Sequence, residues 1–132
     1  MRNLSKLPVP SILIERHDSW LLEYLNDPQN STKKSRYRHE DIKSKLRVET
    51  GWKCIYCESK IGHNTPGDIE HIVPISQYPR LIFKWENLTI ACTECNRRKN
   101  NYFSIIFHKI LMLYFILILL HNIEFFLHKD RI

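Results

Sequence analysis

Apolar and polar positions along the chain follow two periods in turn. Trp20, Leu21, Tyr24 and Leu25 recur at helical spacing, which predicts a helix entered at Asp18 and ended by Asn26-Asp27-Pro28, with these side chains packing into a core. Residues 1 to 10 are short, basic and broken by prolines, and read as an irregular arm. Residues 29 to 38 are polar, with cations at Lys33, Lys34, Arg36 and Arg38, and read as a loop: a solvated linker, or a phosphate-contacting patch for which Tyr37 is the one aromatic platform. A second helix is expected over residues 39 to 50, with Ile42, Leu46 and Glu49 on one stripe and Gly51 placed to stop it. Residues 58 to 67 hold Gly62, Asn64, Pro66 and Gly67 and form a turn-rich loop. Residues 69 to 73 and 88 to 91 read as short strands, and residues 74 to 84 between them are too many for a tight hairpin turn. A last helix is expected to begin near Cys95 or Asn96. Strand, loop, strand and helix make a ββα unit, so the class is α+β. Three regions follow: an arm with helices over residues 1 to 50, a compact core over 51 to 101, and an apolar tail over 102 to 132.

The tail breaks the pattern. Residues 110 to 120 are apolar without interruption, which predicts a C-terminal helix that is apolar on every face. A membrane span needs about 20 mostly apolar residues. Residues 102 to 127 reach that length only by including His108, Lys109, His121 and Glu124. Three readings stay open: a helix packed on the N-terminal ones, a segment in or on a membrane, or the product of a reading-frame change.

Composition narrows the rest. At 132 residues the chain suits one small domain with an appendage, and a domain of this size gains from added cross-links. A formal charge of +6 suits a polyanionic partner without proving one. Arg2 and Lys6 are not followed by a long apolar run, so a signal peptide is not expected and a reducing, cytoplasmic setting is.

In that setting paired cysteines hold metal more often than they form disulfides. Cys54-Ile55-Tyr56-Cys57 and Cys92-Thr93-Glu94-Cys95 are two CxxC knuckles, and they use every cysteine in the chain. Four thiolates suit a closed, tetrahedral and therefore structural Zn2+. A redox pair would need one CxxC at a βαβ unit, which is not present.

Between and beside the knuckles lie Asp68, Glu70, His71, Asn87 and Asn96, followed by Arg97, Arg98 and Lys99. Histidine titrates near neutrality and suits a general base. Carboxylate and amide oxygens from Glu70 and Asn96 suit a hard ion such as Mg2+ or Mn2+. Such an ion would neutralise the charge on a leaving oxygen. Asn96 is expected in the first helical turn, where free backbone N–H groups favour a phosphate. The three cations after it are candidate phosphate contacts. One point resists this grouping: neighbours in a regular strand face opposite ways, so Glu70 and His71 share a site only if the strand twists or bulges. Asp68 lies on the same face as Glu70 and is an additional candidate carboxylate, with a turn residue after Gly67 as the plainer reading.

Glu70-His71, Asn87 and Asn96, set between Cys54/Cys57 and Cys92/Cys95, resemble the HNH endonucleases with a zinc-bracketed ββα-metal site. The resemblance implies that His71 is the general base, that Asn87 orients it and that Glu70 and Asn96 bind the catalytic ion. Two departures stand out: Asn96 replaces the last histidine, and Glu70 stands where aspartate is more usual. Residues 53 to 58, 67 to 74 and 85 to 88 further resemble the HNH subunits of Septu-type and retron-associated anti-phage systems. That likeness covers about residues 1 to 101 and implies a nuclease acting on DNA beside an ATPase subunit. The alternative is a zinc knuckle that grips nucleic acid or protein without chemistry.

Overall fold

The computed structural model describes residues 5–100. The tail expected over residues 102 to 132 lies outside them, and so does the question of its membrane contact. Among the described residues no helix is long and apolar enough to cross a membrane.

The first helix, α1, runs over Ser11–Asn26 and therefore starts before the expected cap at Asp18. Pro10 precedes it in an extended conformation, and its carbonyl takes the N–H groups of Leu13 and Ile14. A proline costs little at a helix start, where its missing N–H would have no partner. Asp18 instead lies mid-helix, with its carboxylate on the ring of its neighbour His17 at 2.9 Å. Asn26-Asp27-Pro28 ends the helix as expected. Leu13 and Tyr24 are buried on the inward face.

Residues 29 to 38 are not a loop. They form a short helix α2, Ser31–Ser35, capped by the Asn30 side chain on the Lys33 N–H, and then a 3-10 turn, Arg36–Arg38. Tyr37 is the buried residue of this segment. The helix α3, Glu40–Glu49, buries Ile42 and Leu46 completely. It stops with the paired bonds of a Schellman motif: Gly51 N–H to Val48 O at 3.0 Å and Trp52 N–H to Arg47 O at 2.8 Å. Gly51 has φ +62, which favours glycine.

Strands β1, Asp68–His71, and β2, Leu88–Ala91, pair antiparallel with Asp68 opposite Ala91 and His71 opposite Leu88. Gly67 at φ +72 leads into β1, and a Cβ there would lie 2.8 Å from Ile61 Cδ1. The final helix, α4, runs over Thr93–Lys99 with Cys92 as its N-cap, two residues earlier than expected. The ββα unit is thus present, in an α+β chain where α3 packs on β2 and α1 packs on α3 and on the connection between the strands.

The long connection between the strands is itself part of that core. It holds two 3-10 turns, Pro79–Leu81 and Trp85–Asn87, around Ile82 and Phe83, both fully buried. The Phe83 ring lies 5.6 Å from Trp20 and 6.3 Å from Tyr24, so α1 seals the connection in place. The N-terminal arm is tied down by one carboxylate. Glu49 accepts from Lys6 Nζ at 2.8 Å and from the Leu7 N–H at 2.9 Å, while Trp85 Nε1 donates to Leu7 O at 2.7 Å. Glu49 is 2% exposed at its side chain. Replacing it with alanine leaves the Leu7 N–H without its partner and takes the counter-charge from a partly buried ammonium that keeps only the Leu88 carbonyl and the Trp85 ring. The expected cost is about 3 kcal/mol, read as a lower urea midpoint with unchanged slope.

Candidate nuclease and metal centre

The four cysteines converge. Their Sγ atoms all lie within 4.8 Å of one another, and all four are free thiols. Cys57 Sγ and Cys92 Sγ are 3.8 Å apart. A tetrahedral Zn2+ with Zn–S bonds of about 2.3 Å sets its sulfurs about 3.8 Å apart, whereas a disulfide needs about 2 Å. The donor set and spacing therefore fit zinc.

Local backbone makes the two knuckles different. In the first, the Cys54 N–H donates to Ser59 O and the Ile55 N–H to Ile90 O, which pins the turn to β2. The Ser59 hydroxyl, 3.1 Å from Cys57 Sγ, and the Ser59 backbone N–H hold that thiol down at about 6, so it is a thiolate at neutral pH. In the second, Cys92 Sγ accepts the Cys95 N–H as the helix cap, and burial pushes the Cys92 and Cys95 thiols up. A Zn2+ held by these four residues would join the turn after α3 to the start of α4.

A second centre lies beside β1. A cleft of about 420 Å³ is lined by Tyr37, Arg38, Lys43, Asp68, Ile69, Glu70, His71 and Asn96. Four consecutive residues of β1 border it, Glu70 and His71 among them.

His71 is 8% exposed, and its Nε2 lies 3.0 Å from Ile82 O. A carbonyl only accepts, so Nε2 carries the hydrogen and Nδ1 is left as the basic nitrogen. The Tyr37 ring stands nearly perpendicular to the imidazole with centroids 4.5 Å apart. Burial lowers the His71 pKa to about 4; the Ile82 carbonyl works against this, and the charges of Lys99, Lys34 and Arg38 add to it.

Asn87 does not border the cleft. Its Oδ1 accepts the Val73 N–H at 2.8 Å, and its Nδ2 donates to Val73 O at 3.1 Å and Leu81 O at 3.3 Å. The whole amide is spent on clamping the connection between the strands. That connection also carries Ile82, whose carbonyl meets His71 Nε2, so the two side chains are linked through backbone and not by direct contact.

Asn96 borders the cleft, but the expected free N–H at a helix start is not there. The helix begins at Thr93, so the Asn96 N–H already donates to Cys92 O at 3.0 Å. Only its side chain is available to a ligand. Arg97 and Arg98 are exposed and both pair with Glu94, at 3.1 and 2.6 Å. Lys99, placed with them by sequence, turns inward instead. Its Nζ lies 2.5 Å from Glu70 Oε1 and 2.9 Å from His71 O. Burial raises the Glu70 pKa, and Lys99 counters that rise. Asp68 accepts from Thr93 Oγ1 at 3.3 Å, so its carboxylate braces α4 as well as bordering the cleft. The oxygens of Glu70, Asp68 and Asn96 suit a hard divalent ion, and a cation already seated on Glu70 marks the place as one that favours positive charge.

Tyr37 and Arg38 border the cleft from the basic stretch whose plainer reading is a solvated linker, and Lys43 borders it from α3, where the Ile42 and Leu46 stripe signals a helix but not a site.

The family described as HNH endonuclease matches residues 54–102, a span holding both knuckles and the β1 cleft residues Asp68 to His71 and Asn96. The chain carries an HNH-family domain. It is also similar to two proteins named Septu protein PtuB. The one from Bacillus thuringiensis is 31% identical over 105 residues, covering 79% of this chain and 39% of that protein. The one from Bacillus mycoides (strain KBAB4) is 37% identical over 83 residues, covering 52% of this chain and 28% of that protein. The chain thus spans well under half the length of these relatives. No solved structure matches it.

Proposed function

We propose that the chain is a divalent-metal-dependent HNH endonuclease that hydrolyses phosphodiester bonds in DNA. The observation that carries this reading is the His71 imidazole: fixed by Ile82 through Nε2, neutral at physiological pH, and bordering a cleft with Glu70 and Asn96. In this reading Nδ1 of His71 takes a proton from water as the water oxygen bonds to phosphorus. The bond from phosphorus to the sugar oxygen breaks, its electron pair stays on that oxygen, and solvent protonates it. Glu70 and Asn96, with Asp68 beside them, would hold Mg2+ or Mn2+. When bound, that ion neutralises charge developing on the leaving oxygen. The four-thiolate zinc offers no open position and holds the fold only. Asn87 keeps the Ile82 carbonyl in register with the imidazole.

The likeness to Septu proteins supports a role as the effector of an anti-phage defence system, working inside the cell beside an ATPase subunit. The test is nicking of supercoiled plasmid by the purified full chain, with and without such a subunit, in Mg2+, in Mn2+ and without added ion. Ion-dependent nicks support the reading. Tight DNA binding with no cleavage under every condition would reject it in favour of a binding module.

A further inference from the structure

The wall of the cleft opposite Glu70 and His71 comes from the N-terminal half of the chain, outside the segment that matches the HNH family. The turn Arg36–Arg38 brings Tyr37 against the imidazole, and Arg38 follows directly. Arg38 Nε donates to Tyr37 Oη at 3.3 Å, and its guanidinium carbon stands 5.6 Å from the Tyr37 ring centroid. That use fixes one N–H and leaves the four terminal ones of a five-donor fork. Among the described residues no carboxylate lies within ion-pair distance of Arg38 or of Lys43, which borders the same cleft. The contrast with Arg36, two positions earlier, is direct: it is paired to Glu23 at 2.8 Å. An unpaired guanidinium on a cleft wall, its stem fixed against the aromatic ring that packs on the candidate base, is placed for a tetrahedral oxyanion.

Resting on the nuclease reading above, we infer that Arg38 grips the scissile phosphate of DNA in this cleft, and that Lys43 supplies a weaker contact to the same strand. Phosphate carries more negative charge on its non-bridging oxygens as water adds to phosphorus. A planar fork can meet two of those oxygens at once, which a lysine cannot. Arg38 is then a catalytic residue contributed by the N-terminal layer, and the HNH segment alone lacks it.

The test uses the full chain with its zinc. Arg38→Ala is expected to lower the nicking rate about 10²- to 10³-fold with zinc content and circular dichroism unchanged. Arg38→Lys recovers part of that loss. Millimolar guanidinium ion restores part of the rate to Arg38→Ala and none to His71→Ala, which a merely structural role for Arg38 would not produce. A second arm reads binding without cleavage. The affinity of His71→Ala for a short duplex, in buffer without added divalent ion, is compared with that of the His71→Ala, Arg38→Ala double variant. The double variant is expected to bind several-fold more weakly, with a salt slope shallower by about one. Wild-type nicking by Arg38→Ala, or a loss that guanidinium leaves untouched alongside unchanged affinity, overturns the inference. If the wild-type chain itself never nicks, the nuclease reading fails; the duplex arm then decides Arg38 alone, and equal affinity and slope reject it.

Discussion

Replacing His71 with alanine is expected to reduce nicking about 10²- to 10⁴-fold, the range over which a positioned general base acts. The prediction follows from how the ring is held. Ile82 O fixes Nε2 as the donor, Tyr37 packs across the ring, and the remaining nitrogen is the only basic one. Burial keeps the imidazole neutral down to a pH near 4, well below the ordinary value of 6.5. The sign is that of a depressed pKa: the basic form dominates throughout the neutral range and is lost only as pH falls toward 4. The rate should therefore not fall through pH 6.5 on acidification, as it would for an exposed histidine base. Alanine also leaves the Ile82 carbonyl buried without a donor, at about 1–3 kcal/mol. Urea unfolding and zinc content must accompany the rate, so that a destabilised variant is not taken for a chemically silent one. Zinc content is expected to stay the same, because the knuckles lie apart from the ring. A variant that nicks as fast as the parent, with zinc in place, removes His71 from the role of base.

Much of this site was legible because its signals are local. Two CxxC pairs and a strand ending in Glu70-His71 declare themselves by residue type and spacing, and β2 falls on the residues its pattern indicated. The start of α1 departs from expectation because Asp18 has the chemistry of a cap. A proline in extended conformation at position 10 opens the helix instead, and only tertiary packing of Leu13 shows that the earlier turns are needed. The polar stretch before α3 conceals its order for the same reason. One buried aromatic, Tyr37, orders it, and a single apolar position carries no period. Lys99 is the sharpest case. Three cations in a row look like an exposed face, yet helix geometry sends Arg97 and Arg98 outward to Glu94 and turns the third in to Glu70. Asn87 shows the converse. Its place in the motif suggested contact with the base, but its three amide bonds hold the loop that carries the base's partner. Long-range partnerships of this kind depend on which elements pack together, and no single stretch of sequence encodes them.

Loss of zinc is expected to have the largest effect of any single perturbation, since it should abolish cooperative folding. Structural Zn2+ in small four-ligand sites contributes about 10–16 kcal/mol of apparent binding energy, while a whole domain is stable by only about 5–15 kcal/mol. The position of the ligands in this fold makes the loss global. Cys54 is fully buried and Cys92 nearly so, in one core cluster with Leu46, Ile82, Phe83 and Ile90. Without the ion, four thiols crowd within 4.8 Å of one another, and one of them, Cys57, carries charge at neutral pH. The lost coordination then acts on the same point that joins α3, β2 and α4. The cleft depends on that joint, because α4 supplies Asn96 and also the Lys99 that steadies Glu70. Treatment with a strong chelator under reducing conditions should therefore erase the thermal transition, and added Zn2+ should restore it together with any nicking. Cys54→Ser should behave like the chelated protein, since a buried serine replaces a thiolate with a neutral hydroxyl that binds Zn2+ poorly. A chelated chain that melts at the parent temperature would show that the core holds without its ion, and would reduce the knuckles to a surface feature.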